Sequence, residues 1–319
     1  ACVILAIVFV LLGIERYARR QQRFFGGRHA GVRTAARGTL LSGWRAALAV
    51  AICTLPVIAG FGIPLWVLGG FALSRTDQFS EPGLYSALAN SVTVGTIAAL
   101  VTVLLSIGLL RAGQLAKGRL ASVMIRVASI GYCLPGTVLG LGLLFALAAI
   151  DNRVDAMLRA SFSISSGLLL TGSAFGVILA LTIRFLTLSE STLQSGLEKI
   201  PANLEHAARN LGQTAWSAAR RVTLPMLRPS ILVAFVLVFV DSLKELSATI
   251  LLRPIGFSTL STYVYENASR AAVEEGAIAA LVIVFAGLVP VMYLSRALTI
   301  SQAVGATTKK MAPDKPTPI

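Results

Sequence analysis

Charged residues are scarce in this chain, and their scarcity excludes a soluble globular protein. Only 13% of the 319 residues are Asp, Glu, Lys or Arg, whereas soluble domains carry roughly 25%. In their place, apolar runs of about 20 residues recur, and each is long enough to cross the hydrocarbon core of a bilayer as a helix. The composition therefore predicts an all-α, polytopic membrane helical bundle of about seven spans.

Residues that carry metal or catalytic chemistry are also few. The three cysteines lie far apart in apolar stretches and the two histidines are isolated, so neither a disulfide framework nor a metal-ligand spacing is present. The sequence contains no GxxxxGK[ST] phosphate loop and no HExxH motif. We therefore expect no metal site, no catalytic residue and no cofactor on this chain. An intramembrane enzyme would have only Asp241 and Glu245 to use.

Acidic residues are outnumbered, which leaves a net charge of +14. In a soluble protein this excess would suggest nucleic acid as the partner. Here the basic residues fall between apolar runs, where the positive-inside rule and anionic lipid headgroups account for them. No basic surface interleaved with aromatic residues is present. The lipid bilayer, and not nucleic acid, is the predicted partner of these charges.

The alternation of apolar and polar stretches divides the chain into five regions. They are the end of a preceding membrane span at 1–14, a basic cytoplasmic linker at 15–45, an additional span and periplasmic loop at 46–85, a main membrane domain at 86–296 with a polar loop at 190–229, and a disordered tail at 297–319. The spans are predicted at 46–73, 86–110, 123–150, 166–188, 230–252 and 276–295. Because the chain opens inside an apolar run, we expect it to begin within a longer polypeptide.

The distribution of positive charge predicts the orientation of the spans. If the connections alternate sides, 22 of the 28 lysines and arginines fall on the side of the basic linker and five on the other. Positive charge marks the cytoplasmic side of a membrane protein. The loop at 190–229 is therefore predicted to face the cytoplasm.

This cytoplasmic loop has a helical pattern. Leu204, Ala207, Ala208 and Leu211 are spaced as one face of a helix, and Gly212 is expected to end or bend that helix. A second short helix is predicted at about 214–223, before Leu224 and Pro225. The pattern allows a docking element for another protein, and equally a surface helix that packs on lipid headgroups.

Polar residues within the spans raise two further alternatives. Asp241, Lys244 and Glu245 are spaced to share one helical face. They could line a pathway or gate, or form a structural ion pair of Lys244 with Asp241 or Glu245. Pro135 and Gly136 should break their span, either beside a pathway or as a packing kink.

Oxygen-bearing side chains that could suit iron(III) lie in the polar region before the last span. The alternative is an ordinary solvated periplasmic segment. The residues concerned are Tyr263, Tyr265, Glu266, Glu274 and Glu275.

The cytoplasmic loop resembles the EAA motif of bacterial ABC-importer permeases of the binding-protein-dependent, MetI-like family. His206-Ala207-Ala208, then Gly212, then Leu224-Pro225 follow the spacing of that motif at every step. His206 stands where the family has Glu, and Glu205 is the neighbouring carboxylate that could replace it. The resemblance implies that this loop is a coupling helix that inserts into a groove of the ATP-binding subunit.

A second stretch is similar to iron(III) transport permeases in particular. VFVDSLKELSATILLRPIGFSTLSTYVY at 238–265 and LPGTVLGLGLL at 134–144 follow their pattern, with Ser247 in place of Pro and Ser258 in place of Asp. The resemblance extends over about 86–296, the expected permease domain. Thiamine and phosphonate permeases share much of the pattern, so these substrates stay open. Such permeases often fuse two halves, of which this chain would be the C-terminal one.

The resemblance implies a non-enzymatic subunit of an ATP-driven importer in the bacterial inner membrane. Its implied partners are ATP-binding subunits, normally two, that hold ATP and Mg²⁺, a second permease half, and a periplasmic substrate-binding protein. An ion channel or ion-coupled carrier, which would work without an ATPase, is the remaining alternative.

Overall fold

The computed structural model describes residues 42–115, 131–165, 167–201 and 203–292. The chain forms two compact units, Ala1–Gly70 and Phe71–Ile319. The predicted preceding span at 1–14, most of the predicted linker at 15–45 and the predicted tail at 297–319 lie outside the described residues.

The first unit contains helix α1 (Trp44–Val57), a π-helical turn (Ile58–Gly62) and most of helix α2 (Ile63–Ser74). Pro56 lies inside α1 and cannot donate a backbone hydrogen bond. Two residues later the helix widens, so that the amide of Ile63 donates to the carbonyl of Ile58, five residues back. A π-turn of this kind lets a helix accommodate an irregularity without ending, and Trp44–Ser74 is long and apolar enough to span a membrane.

The second unit consists, over its described residues, of helices and the turns and loops that connect them. Its helices are α3 (Pro82–Leu115), α4 (Gly136–Phe162), α5 (Phe175–Leu197), α6 (Asn203–Asn210), α7 (Ala215–Ala218), α8 (Leu224–Leu243), α9 (Thr249–Leu252), α10 (Leu260–Ser269) and α11 (277–292). Short 3-10 turns cover Thr76–Ser80, Gly131–Cys133 and Val273–Gly276, and a π-helical segment, Ala219–Thr223, joins α7 to α8.

Six helical segments within the described residues could span a membrane, which confirms the predicted helical membrane bundle. Three of the sequence-predicted spans were misplaced, and the one expected at 230–252 is Ala215–Leu243. The span expected at 123–150 is Gly136–Phe162, and the one expected at 166–188 is Phe175–Leu197. The predicted loop at 151–165 is therefore mostly helix, because the charge of Asp151 is satisfied inside the protein and does not end the span.

Helices α3, α5 and α8 form the core of the second unit. Val94, Ala98 and Ala99 of α3 are buried against Leu181 of α5 and Val238 of α8. Small residues let membrane helices approach closely. At Gly95 of α3, for example, an added β-carbon would lie 3.3 Å from the ring of Phe239 on α8.

The connection before α10 is fastened to the first third of α3. Ser91 accepts a 2.7 Å hydrogen bond from the amide of Leu260, and the side-chain amide of Asn90 donates to the carbonyl of Ser258 at 3.0 Å. Thr259 and Thr262 form a capping box at the start of α10. These contacts satisfy backbone groups that would otherwise be left unpaired where the chain is not helical.

Candidate functional site

The predicted coupling helix corresponds to α6, which contains Glu205, His206, Ala207 and Ala208. The side chain of His206 lies outside what the structure describes. The helix ends at Asn210, and the turn that follows contains Gly212, whose φ of +83° is in the left-handed region that glycine adopts without strain. The backbone amide of Gly212 donates to the carbonyl of Arg209, and the amide of Gln213 donates to the carbonyl of Ala208. These two bonds close the last turn of the helix.

The second predicted helix differs from expectation at its end. Thr214 caps α7 through the amide of Ser217, and the π-helical segment then leads directly into α8. Leu224 and Pro225 therefore begin the spanning helix α8. Pro225 has no N–H to donate, and the π-helical segment before it lets the helix continue past this irregularity. Ala215–Leu243 is consequently one continuous candidate span.

Large apolar side chains of this segment are exposed, beside the polar Arg209 and Asn210. Leu211 is 84% exposed and Trp216 is 68% exposed, and Ala207 and Gly212 are also exposed. The opposite side is packed, since Ala218 and Ala219 are fully buried. The segment thus presents large and small apolar groups on one side while its other side is anchored to the bundle.

A cavity of about 640 Å³ lies between this segment and the ends of α3 and α5. Its walls are mainly apolar, with charged groups from three helices. The lining residues that matter below are Arg111, Glu198, Glu205, Trp216 and Thr223.

Glu205 is directed into this cavity. Its Oε2 lies 3.3 Å from the Arg111 guanidinium of α3 and accepts a 3.1 Å hydrogen bond from the Thr223 hydroxyl. The side chains of Arg111 and Glu205 are 15% and 30% exposed. The carboxylate that the sequence suggested as a replacement for the motif Glu is therefore engaged within the chain.

Asp241, Lys244 and Glu245 do not share a helical face, contrary to the sequence prediction. Helix α8 ends at Leu243 with Lys244 as its C-cap, so Glu245 lies beyond it. The Lys244 ammonium pairs with Asp241 at 2.7 Å and its side chain is 63% exposed. Glu245, by contrast, is buried. The structure separates an exposed pair from a buried carboxylate.

Glu245 is held by groups from several elements. Its Oε2 lies 3.3 Å from Nε of Arg184 on α5, and its Oε1 accepts from the amide of Ala248 at 3.1 Å. The hydroxyl of Ser261 on α10 donates to its backbone carbonyl at 2.9 Å. A buried charge is tolerated when it is paired and hydrogen-bonded in this way.

Pro135 and Gly136, the predicted helix break, meet this same carboxylate. Pro135 is the N-cap of α4 and Gly136 its first residue. A β-carbon at Gly136 would collide with the Arg184 guanidinium and would lie 2.9 Å from Oε1 of Glu245. The start of α4, the middle of α5, the end of α8 and α10 therefore converge on Glu245, and we call Gly136, Arg184, Glu245 and Ser261 the Glu245 cluster.

The oxygen-bearing residues before the last span are partly engaged with arginines. Arg253 pairs with Glu266, and Arg75 lies 3.8 Å from Glu274 and 3.5 Å from Glu275. Among the described residues, no group of three His, Cys, Asp or Glu side chains is placed to hold a metal ion.

Sequence reasoning missed Arg111, Thr223, Arg184 and Asp151. Arg184 carried a usable signal, because an arginine inside an apolar span requires a partner. The other three have ordinary positions in the sequence, and only the fold brings them to their partners.

The sequence matches the family described as "Binding-protein-dependent transport system inner membrane component" over residues 105–300. The chain is 29% identical over 244 residues to the Fe(3+)-transport system permease protein FbpB 2 of Haemophilus influenzae, a match that covers 75% of this chain and 45% of that protein. The chain thus spans less than half the length of this relative.

A second relative is covered more fully. The putative 2-aminoethylphosphonate transport system permease protein PhnV of Salmonella paratyphi A is 26% identical over 227 residues, which are 71% of this chain and 80% of that protein. Among solved structures, a bacterial ABC transporter involved in the import of the acidic polysaccharide alginate has a TM-score of 0.62 at 17% identity, over 82% of this chain and 96% of the other. That likeness shows the fold.

The family match extends over more than half of the chain and coincides with the helical bundle described above. The protein therefore belongs to the family of inner-membrane components of binding-protein-dependent transport systems.

Proposed function

We propose that this chain is a permease subunit, or the C-terminal half of a fused permease, of an ATP-driven ABC importer for iron(III) in a bacterial inner membrane. The observation that carries the proposal is the segment from α6 to the start of α8. It combines the spacing of the EAA motif with an exposed apolar face formed by Leu211, Gly212 and Trp216. An uncovered apolar patch of this kind is typical of a protein interaction site.

In this proposal the segment is cytoplasmic and docks into a groove of one of two ATP-binding subunits, which hold ATP and Mg²⁺. Ala207 and Ala208 allow close approach of the ATP-binding subunit, and Gly212 makes the turn at the exposed end of α6. Leu224 and Pro225 connect the segment rigidly to α8. Binding of ATP in the partner subunits draws the coupling segments of two permease halves together, and the spans then change from inward-facing to outward-facing. ATP hydrolysis belongs to the partners.

The pathway is formed with a second permease half, and a periplasmic binding protein delivers the substrate. The exposed pair of Asp241 and Lys244 is the candidate for its wall, because charges at membrane depth must face water or protein. The break at Pro135 and Gly136 lies beside Glu245, and interrupted spans are common at transporter binding sites.

Iron(III) as the substrate is supported by the relative from Haemophilus influenzae and by the sequence pattern at 238–265. The relative named for 2-aminoethylphosphonate supports a small phosphonate as the alternative. A thiamine permease is the remaining possibility from the sequence pattern.

Coupling is tested by co-purification with the ATP-binding subunits. Gly212→Val forces a β-branched residue into the left-handed region at the exposed tip, so we expect loss of ATPase binding and of transport. Gly167→Val is the matched control, since Gly167 also has a left-handed backbone (φ +62°) and open space around it but lies between α4 and α5. If Gly212→Val retains both ATPase binding and transport, the coupling role is wrong.

The substrate is tested by uptake of radiolabelled iron(III) and 2-aminoethylphosphonate in cells with and without the gene. We expect iron uptake alone to depend on the permease. Iron uptake that is unchanged by the deletion would refute the iron assignment, and a loss of phosphonate uptake would replace it.

A further inference from the structure

Arg111, Glu205 and Thr223 connect three parts of the chain that are far apart in sequence. Arg111 lies near the end of α3, Glu205 in the first turn of α6, and Thr223 at the last position before α8. The same oxygen, Glu205 Oε2, meets both partners, at 3.3 and 3.1 Å. One carboxylate therefore ties the predicted coupling helix to two spanning helices.

The position of Glu205 is unsuited to contact with an external partner. Its charged oxygen is directed into the cavity towards Arg111, and Thr223 is almost fully buried. The large apolar side chains left exposed are Leu211 at 84% and Trp216 at 68%, and Trp216 borders the cavity. Glu205 Oε2 is thus bonded within the chain, whereas the exposed end of the segment at Leu211 is not part of the cavity lining.

Helix α3 leads from Arg111 to the core of the bundle. Gly95 lies 16 residues before Arg111, which is about 24 Å along a helix, and it packs against Phe239 of α8. A displacement of α6 that pulls on Arg111 therefore acts on the helix that packs beside the end of α8, where Asp241 and Lys244 lie.

We infer that Arg111 and Glu205 are positioning residues that transmit movement of the coupling helix to span α3, and that Glu205 does not recognise the ATPase directly. This inference rests on the proposed function. It differs from a docking role in one measurable respect, because loss of the pair should uncouple hydrolysis from transport and leave the affinity for the ATPase intact.

The test uses the purified transporter in proteoliposomes with its ATPase subunits and binding protein. For Glu205→Gln and Arg111→Gln we expect the amount of substrate transported per ATP hydrolysed to fall about three- to fivefold, as for a partly exposed ion pair. The Kd for the ATPase subunits should stay at the wild-type value. The exchanged pair, Arg111→Glu with Glu205→Arg, should restore most of the transport per ATP.

The matched control is Glu198→Gln, which changes another glutamate of the same cavity that hydrogen-bonds Gln194. We expect it to leave the transport-to-hydrolysis ratio unchanged. Thr223→Val keeps the shape of the side chain but removes the hydroxyl that donates to Glu205. It should therefore also lower the amount of substrate transported per ATP, although it changes no charge. Thr223→Val therefore tests the role of the contact even if the exchanged pair fails to fold.

Two results would overturn the inference. A weaker Kd for the ATPase in Glu205→Gln, with no rescue by the exchanged pair, would show that Glu205 docks directly. Wild-type coupling in both Glu205→Gln and Thr223→Val would show that the contact has no role in transmission. Failure of the wild-type chain to bind any ATPase subunit is a different outcome, since it would refute the proposed function itself.

Discussion

The guanidinium of Arg184 occupies the space where any residue larger than glycine at position 136 would place its β-carbon. We therefore expect Gly136→Ala to destabilise the folded protein by about 1–3 kcal/mol, the usual effect of overpacking. Thermal unfolding of the detergent-solubilised protein measures the change. Gly142→Ala, on the same helix but with no atom within 4 Å of the added carbon, is the control. Equal melting temperatures for the two variants would contradict the prediction.

Substitutions of Arg184 and Glu245 should have non-additive effects on the free energy of unfolding, because the two side chains form an ion pair. Arg184→Met leaves the buried Glu245 carboxylate without its partner and should destabilise the fold by about 3–5 kcal/mol. Glu245→Gln leaves Arg184, which is 23% exposed, and should cost less. The double variant removes both charges and should lose less stability than the two single effects added together.

The pair of Asp241 and Lys244 provides the comparison for the variants at 184 and 245. Asp241 is 21% exposed, but its partner Lys244 is 63% exposed and well solvated, so Asp241→Asn should change the unfolding free energy by about 1 kcal/mol or less. Chemical denaturation of all four variants gives the values. Strictly additive effects at 184 and 245 would show that the two charges do not stabilise one another.

Asp151 should hold the connection between α4 and α5. Its carboxylate accepts from the amides of Leu170 and Thr171, at 2.9 Å each, and from the Thr171 hydroxyl at 2.7 Å. Asp151→Asn removes the charge that strengthens these bonds. We expect several-fold faster proteolysis within 163–174 in native conditions, measured by mass spectrometry of the fragments. Asp155 makes longer and more exposed bonds to the same connection, from the Ser165 hydroxyl at 3.0 Å and the Gly167 amide at 3.3 Å, so Asp155→Asn should have a smaller effect, and the reverse order would contradict the prediction.

Tyr263 should make the free energy of unfolding depend on pH in the alkaline range. Burial raises the pKa of the Tyr263 phenol, and the carboxylates of Glu81 and Glu275 raise it further, although the bond to Asn267 opposes them. The folded protein therefore favours the neutral phenol. This stabilisation is complete below the unfolded pKa of about 10 and is lost as the pH rises through the higher folded pKa. Tyr263→Phe should reduce the loss of stability above about pH 10, and identical alkaline profiles would refute the prediction.

Features that follow from local pattern could be predicted from the sequence. Apolar runs predicted spanning helices, and the helical spacing of Leu204, Ala207 and Ala208 predicted α6. Gly212 was expected at the end of that helix, and its backbone is left-handed there. These features depend on hydrophobic transfer and backbone sterics, both of which act over a few neighbouring residues.

Boundaries and partners could not be predicted in the same way. Asp151 looked like the end of a span because an isolated charge is costly in a membrane, but amides 19 and 20 residues away satisfy it. Glu245 looked like a helical neighbour of Asp241, but it turns to Arg184, which comes 61 residues earlier.

By itself, the sequence determined the helical membrane bundle, the break at Gly136 and the pattern of the exposed segment. Only the tertiary structure decided that Glu205 points inward to Arg111 and that Glu245 pairs with Arg184 and bonds to Ser261. The physical reason is that a charge in a poorly solvated site must find its counter-charge wherever the fold places one, and that choice depends on the packing of helices distant in sequence.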